Sequence, residues 1–472
     1  MTKYGIINLM SLQENELLII AIILLIKVKT VRCLEGMEVT MKIFIKLIYS
    51  IIVFLTANMY NLYIIKEYWY LAILLVACFA LINIFPSFHN RNSPTIRLKI
   101  CGDGCELLMI FLISSVLSAT YFIVTRYRLF YLLVVIIVEA IVFWNGIIRV
   151  YCTSTQLGIK WRLIGIICGL IPLVNLIVLQ KIISVTSKET AFESERITIN
   201  KKREDNQSCR TKYPLLFVHG VFFRDSKYFN YWGRIPNELK QNGAVLHYGN
   251  HQSAASVVDS GQELAERIRQ IVVSTGCDKV NIIAHSKGGL DCRYAISKLG
   301  IEDYVASLTT INTPHYGCLF ADYLLSKIPE KSRNFIAWKY NAALKRFGDS
   351  SPDFLAAVND LTASSCKQLN DTVLDIPGIL YQSVGSKLNA AIGGRFPLNF
   401  SYPLVKYFDG ANDGLVSVNS FGWGEAKVIL TTEGRRGISH GDLIDLYREN
   451  IEGFDVREFY VSLINGLKER GL

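Results

Sequence analysis

The segment Val280-Asn281-Ile282-Ile283-Ala284-His285-Ser286-Lys287-Gly288-Gly289-Leu290 restricts the fold of this chain more than any other. A buried strand of Val, Ile and Ala runs without a spacer into small-x-Ser-x-Gly and then into a helix. A turn that tight brings strand and helix backbones almost into contact, so its flanks need small residues, here Ala284 and Gly288. The serine between them is expected in a strained conformation with its oxygen projecting from the sheet edge. The surrounding residues repeat the alternation. Leu215-Leu216-Phe217-Val218 reads as a strand ending at His219-Gly220, Gly261 to Val273 has apolar residues at helical spacing, and Val305 to Ile311 and Lys427 to Thr431 read as further strands. Strands alternating with helices predict an α/β fold with a mostly parallel sheet covered on both faces.

The first part of the chain follows a different rule. Apolar runs cover Ile43 to Ile65, Tyr68 to Phe85, Leu107 to Thr125, Leu129 to Ile148 and Leu163 to Ile183. Each is close to the roughly 20 residues that cross a bilayer core. Charges sit in the separators, and Tyr68, Trp69, Trp144 and Trp161 lie near run ends, where amphipathic rings favour the membrane interface. An all-α transmembrane region of about five spans is therefore expected over residues 41–185, followed by a solvated linker over 186–212 and a globular domain over 213–472. Residues 1–40 read as a doubtful extension: Leu17 to Ile26 is short for a span and no small-residue cleavage site follows. Met37-Glu38-Val39-Thr40-Met41 can be encoded by a ribosome-binding-like purine run just upstream of an ATG, so a start at Met41 is expected.

With Met41 cytoplasmic, inside segments carry Lys42, Lys46, Arg91, Arg97, Lys99, Arg149, Lys160 and Arg162. Outside loops carry Lys66, Arg126 and Arg128. The positive-inside bias then places the globular domain outside the cytoplasm of a bacterial plasma membrane. Glu139 lies inside the fourth run and is expected to be protonated or paired with Asn145 or Asn175.

The net charge of +10 accords with such flanking Lys and Arg, and no nucleic-acid motif accompanies it. The 11 cysteines are scattered, with Cys101 and Cys105 as a lone CxxxC, so neither a disulfide framework nor a metal cluster is expected.

A serine hydroxyl is a poor nucleophile until a base removes its proton. Of the two histidines after Ser286, His315 follows a strand directly, whereas His440 sits near the end in Gly437-Ile438-Ser439-His440-Gly441-Asp442. His440 is the expected base and His315 is expected to shape the loop beside it. The acid should precede His440 on a loop: Asp413 in Asn412-Asp413-Gly414-Leu415-Val416-Ser417 is preferred, with Asp409 second. Two backbone N–H groups should receive the oxyanion, one from Lys287 and one from Val221 after His219-Gly220.

These blocks, with Ala284-His285-Ser286-Lys287-Gly288-Gly289-Leu290-Asp291-Cys292-Arg293-Tyr294 and Thr313-Pro314-His315-Tyr316-Gly317, fall in one order. From Tyr213 to about Gly453 the chain resembles the bacterial triacylglycerol lipase family. The resemblance implies an α/β-hydrolase that cleaves acyl esters through an acyl-enzyme, with Ala321 to about Leu361 forming a mobile helical lid that meets lipid. It also implies a structural calcium held partly by an Asp two residues after the His, where Asp442 stands. The family's Gln ligand on the following turn is Leu446 here, so calcium lacks support and no other cofactor is expected. The multi-span region is foreign to the secreted members, which marks a membrane-tethered relative.

The leading expectation is thus a membrane-anchored lipase or carboxylesterase with a lipid ester and the bilayer as partners. An acyltransferase or thioesterase would use the same three residues, since pocket shape chooses the acceptor. The contrasting class is a membrane protein whose hydrolase-like domain only binds.

Overall fold

The computed structural model describes residues 35–86, 94–125, 129–169, 171, 173–221, 230–346 and 348–472. The Leu17 to Ile26 stretch and the loop charges Arg91, Arg126 and Arg128 lie outside the described residues. Two compact units divide the chain, Met1–Ser194 and Glu195–Leu472.

Among the described residues the first unit carries the helices α1 (Glu35–Asn58), α2 (Trp69–Ile84), α3 (Ile96–Thr125), α4 (Leu129–Thr153), α5 (Gly158–Cys168) and the start of α6 (Val174–Arg203). By length and composition α3 and α4 are long and apolar enough to cross a membrane, and the apolar parts of α1 and α2 are shorter. A Cβ on Gly104 would lie 2.9 Å from the Gly146 carbonyl oxygen, so these two glycines let α3 and α4 approach closely. The Glu139 carboxylate on α4 accepts hydrogen bonds from Ser114 (2.8 Å) and Ser115 (3.2 Å) of α3. Its partners are therefore serines, while Asn145 donates to Asn83 instead. Hydroxyls spaced along α3 reach the site that the two asparagines, on other faces, do not.

Two expectations need correction. The apolar run Leu163 to Ile183 is divided between α5, which ends at Cys168, and α6, which begins at Val174. The expected linker is helical as far as Arg203. Residues 186–203 contain no Gly or Pro and are rich in Glu, Lys and Arg, which favour helix. That end of α6 is also not merely solvated. Arg196 is buried and pairs with Glu238, Asp455 and Glu458.

The second unit contains β1 (Leu215–Val218), α7 (Ile235–Gln241), β2 (Leu246–Tyr248), α8 (Val257–Thr275), β3 (Val280–His285), α9 (Lys287–Lys298) and β4 (Val305–Ile311). There follow α10 (Leu319–Lys327), α11 (Glu330–Arg346), α12 (Phe354–Asn359), α13 (Ala363–Thr372), β5 (Leu380–Ser386), α14 (Leu398–Asp409), β6 (Ala426–Leu430) and α15 (Val456–Glu469). The strands form one sheet in the order β2-β1-β3-β4-β5-β6, and every neighbouring pair is parallel.

Strand alternation sends side chains to opposite faces. Leu215 and Phe217 of β1 join Trp232, Ile235, Tyr460 and Ile464 on one side, beneath α7 and α15. Leu216 and Val218 join Leu264, Ile268, Cys292 and Ile296 on the other, beneath α8 and α9. Parallel strands buried on both faces read as the near-continuous apolar runs seen in the sequence. The C-terminal ends of β1 and β3 carry His219-Gly220 and Ser286 to the same edge. The segment expected to be a helical lid is helical, in α10, α11 and α12.

Candidate active site

Ser286 lies between β3 and α9 with φ 54° and ψ −132°, a backbone conformation that L residues rarely hold. The packing around it explains why the turn cannot relax. A Cβ on Gly288 would lie 2.5 Å from the His219 carbonyl oxygen, and one on Gly220 would lie 2.7 Å from the Ser286 Cβ. The turn at Ser286 and the end of β1 thus meet at close quarters. Ser286 N–H donates to the Ile311 carbonyl at 2.8 Å, which fixes the turn to β4.

Asp413 and His440 come from loops beyond α14 and β6 and meet in the interior. His440 Nδ1 is 2.6 Å from Asp413 Oδ2, and the Asp413 side chain is wholly buried. Asp413 Oδ1 accepts from the N–H groups of Leu415 (2.9 Å) and Val416 (2.8 Å), so the Asp-Gly turn itself holds the carboxylate. His440 N–H donates to the Asp413 carbonyl at 2.9 Å. The imidazole lies against His285, the residue before Ser286, with ring centroids 4.6 Å apart. With Nδ1 facing the carboxylate, Nε2 is the ring nitrogen that Asp413 does not engage.

The second-choice acid has another duty. The Asp409 carboxylate accepts from the N–H groups of Leu319 and Phe320, both at 3.0 Å, and so caps the start of α10. His315 was expected to shape the loop beside the site. It is fully buried, bonded to Thr310 (3.0 Å) and stacked on Trp423 (4.7 Å), and burial pushes its pKa well below the ordinary imidazole value, with Arg293 adding to this.

Val221 follows Gly220 and packs on Ala254, Leu344 and Ala357; Phe222 lies outside the described residues. Lys287 opens α9, where helix N–H groups lack intrahelical acceptors. Its side chain turns inward: Nζ is 2.6 Å from Asp291 Oδ1 and 3.2 Å from Ser260 Oγ.

The calcium expectation at Asp442 does not fit. Its Oδ2 accepts from Ser439 N–H (2.8 Å) and from Arg436 (3.0 Å), and its Oδ1 accepts from Arg436 (3.3 Å). Both oxygens already serve a guanidinium, whose positive charge repels a cation, and Leu446 supplies no ligand atom. Among the described residues no group of three or more His, Cys, Asp or Glu could hold a metal ion.

Tyr231 and His285 were not singled out in the sequence, yet they connect the site's segments. Gly220 N–H donates to Tyr231 Oη at 3.0 Å, Tyr231 Oη lies 2.7 Å from His285 Nδ1, and His285 Nε2 lies 3.2 Å from the His440 carbonyl oxygen. The position of His285 beside Ser286 was a visible signal; nothing in the sequence marks Tyr231.

The family model described as "Putative serine esterase (DUF676)" matches residues 240–343. The chain is 32% identical over 172 residues to a triacylglycerol lipase of Pseudarthrobacter phenanthrenivorans, covering 34% of this chain and 53% of that one. It is 26% identical over 272 residues to triacylglycerol lipase 2 of Saccharomyces cerevisiae, covering 52% of this chain and 77% of that one. The chain spans about half the length of the bacterial relatives it matches. Among solved structures, the mature Bacillus licheniformis lipase BlEst2 aligns with 54% of this chain and 92% of its own at 23% identity, with a TM-score of 0.41.

Proposed function

We propose that this chain, a lipase-family α/β-hydrolase, is a membrane-anchored serine lipase or carboxylesterase acting on acyl esters of lipids. The observation that carries the proposal is the buried Asp413–His440 pair, set against the residue that precedes a strained Ser286. In this reading His440 Nε2 takes the Ser286 proton as the serine oxygen bonds to the ester carbonyl carbon. The Asp413 carboxylate stabilises the imidazolium that forms. Backbone N–H groups of Lys287 and Val221 receive the oxyanion. The C–O bond to the alcohol then breaks, the alcohol leaves with the proton from His440, and an acyl-Ser286 ester remains. Water, deprotonated by the same histidine, attacks that ester, and the acid and the free serine are regenerated.

A lipid substrate is favoured by the surface of α10 and α11, which serve in this reading as the lid. On α11 only Ala337 and Leu344 are buried. Phe335 (55% exposed), Ile336 and Trp338 (65% exposed) turn outward together with Lys331, Lys339, Lys345 and Arg346. A helix presenting rings and cations, with its lone acid at the first turn, suits a lipid interface of anionic character.

Anchoring is supported by the apolar side chains that the first unit leaves exposed, such as Ile73, Ile123, Ile137 and Ile166. In this reading α5 and the apolar first turns of α6 form the fifth crossing as a broken helix, which keeps the hydrolase unit outside the cytoplasm. The deciding experiment is labelling of the purified chain by a fluorophosphonate. One equivalent should attach, and Ser286→Ala should abolish it. Labelling that survives the substitution would transfer the nucleophile's role elsewhere.

A further inference from the structure

The contacts of His285 fix the direction of a buried hydrogen-bond chain. The ring is 1% exposed, and its Nε2 faces the His440 carbonyl oxygen, which can only accept. Nε2 therefore carries a proton. Complete burial depresses the pKa of the ring well below its ordinary value, and the neighbouring His440 adds to this, so the ring is neutral and Nδ1 is bare. Tyr231 O–H, 2.7 Å away, must then donate to Nδ1. That leaves the Tyr231 oxygen as the acceptor for Gly220 N–H, the bond at 3.0 Å. Every link thus runs one way: Gly220 to Tyr231, Tyr231 to His285, His285 to His440.

The three segments joined in this way are the loop after β1, the strand that presents Ser286 and the loop that presents His440. We propose that Tyr231 and His285 are positioning residues whose one-way relay sets the oxyanion loop and the base loop against the nucleophile's turn. The proposal rests on the reading of Ser286, Asp413 and His440 given above. It has a corollary for the oxyanion donors: Gly220 N–H is already committed to Tyr231, so the donor from this loop is the next one along, Val221 N–H. It also accounts for how His440 is held. Its carbonyl is held by His285 and its N–H and Nδ1 by Asp413, so backbone and ring are fixed from opposite sides.

The test uses the full chain in detergent. Tyr231→Phe removes the donor to His285 and the acceptor for Gly220 with little change of shape. It should lower kcat by about tenfold to a hundredfold, the scale of one to two buried hydrogen bonds, with KM within about twofold. Fluorophosphonate labelling should slow by the same factor yet still reach one equivalent. An unchanged kcat would overturn the proposal. Failure of the unsubstituted chain to label would instead overturn the reading of Ser286, so the two failures are distinguishable. A second measurement needs no folded variant. With histidine side chains labelled by ¹⁵N, the His285 signals of the unsubstituted chain should report a neutral ring protonated at Nε2. A ring protonated at Nδ1, or one that titrates near the ordinary imidazole value, would overturn the relay.

Discussion

Asp409 and Asp413 stand four residues apart and hold different parts of the domain: Asp409 receives the N–H groups that open α10, and Asp413 receives the Nδ1 proton of His440. Asp413→Asn should lower kcat by about a thousandfold to ten-thousandfold, because an amide stabilises neither the required tautomer nor the imidazolium. Asp409→Ala should cost about 1 kcal/mol of stability through the lost cap and leave kcat within a few-fold. Kinetics and thermal melting of both variants separate the two roles. Equal losses of kcat would mean that the acid has been misassigned.

The fixed charge beside the base loop leads to a second expectation. Arg436 bridges Asp442 and Glu449, at 3.0 and 3.1 Å. A strong divalent chelator should leave hydrolysis unchanged. Asp442→Asn should weaken the loop by about 1–3 kcal/mol, since it leaves the half-buried Arg436 guanidinium with Glu449 as its remaining carboxylate and loosens Ser439 N–H. Inactivation by the chelator, restored by added calcium, would contradict this.

How much of this was legible in sequence depended on how local each cause is. The β1, β3, β4 and β6 runs, the turn at Ser286 and the preference for Asp413 over Asp409 all follow from contiguous residues. The Arg436–Asp442 pair did not, because the spacing that suggests a metal ligand is silent about which cation arrives. The division of the fifth apolar run was masked by its uniform hydropathy, although Gly169 and Pro172 were present. The helix through 186–203 was read as linker because charged helix formers and solvated coil share a composition, and only the partners of Arg196 decide between them. Tyr231 reaches His285 from 54 positions away, a contact that no local pattern encodes.

Acid should destabilise the hydrolase unit through its buried imidazoles. His285 and His315 have folded pKa values pushed well below the ordinary one by burial. Below about pH 6.5 the unfolded chain takes up protons that the folded rings refuse. Their contribution is therefore complete above that value and is lost as the pH falls beneath it. Melting temperatures between pH 7.5 and 5.5 should decline less steeply in His315→Gln than in the unsubstituted chain. Parallel slopes would show that His315 accepts its proton while folded.

At a fixed concentration of lipid ester, hydrolysis should be faster in vesicles containing phosphatidylglycerol than in phosphatidylcholine alone. Each basic side chain near such a surface contributes about 1 kcal/mol, and salt screens it. Joint replacement of Lys331, Lys339 and Arg346 by Glu should remove the preference while leaving the rate on a water-soluble ester unchanged. A preference that survives both the substitutions and high salt would exclude α11 as its source.

Cys277 is a half-buried thiol between α8 and β3. On intact cells a membrane-impermeant maleimide should label it, and Cys277→Ser should remove that label. Labelling only after lysis would place the hydrolase unit on the cytoplasmic side.

The clash that any Cβ on Gly288 would make with the His219 carbonyl has a consequence for how such a chain can diversify. The bend bearing the serine and the tip of β1 form a single casting, and neither can be reshaped alone. Under the function proposed above, a change of ester preference would have to come from residues outside this bend, with Ser286 left in its place.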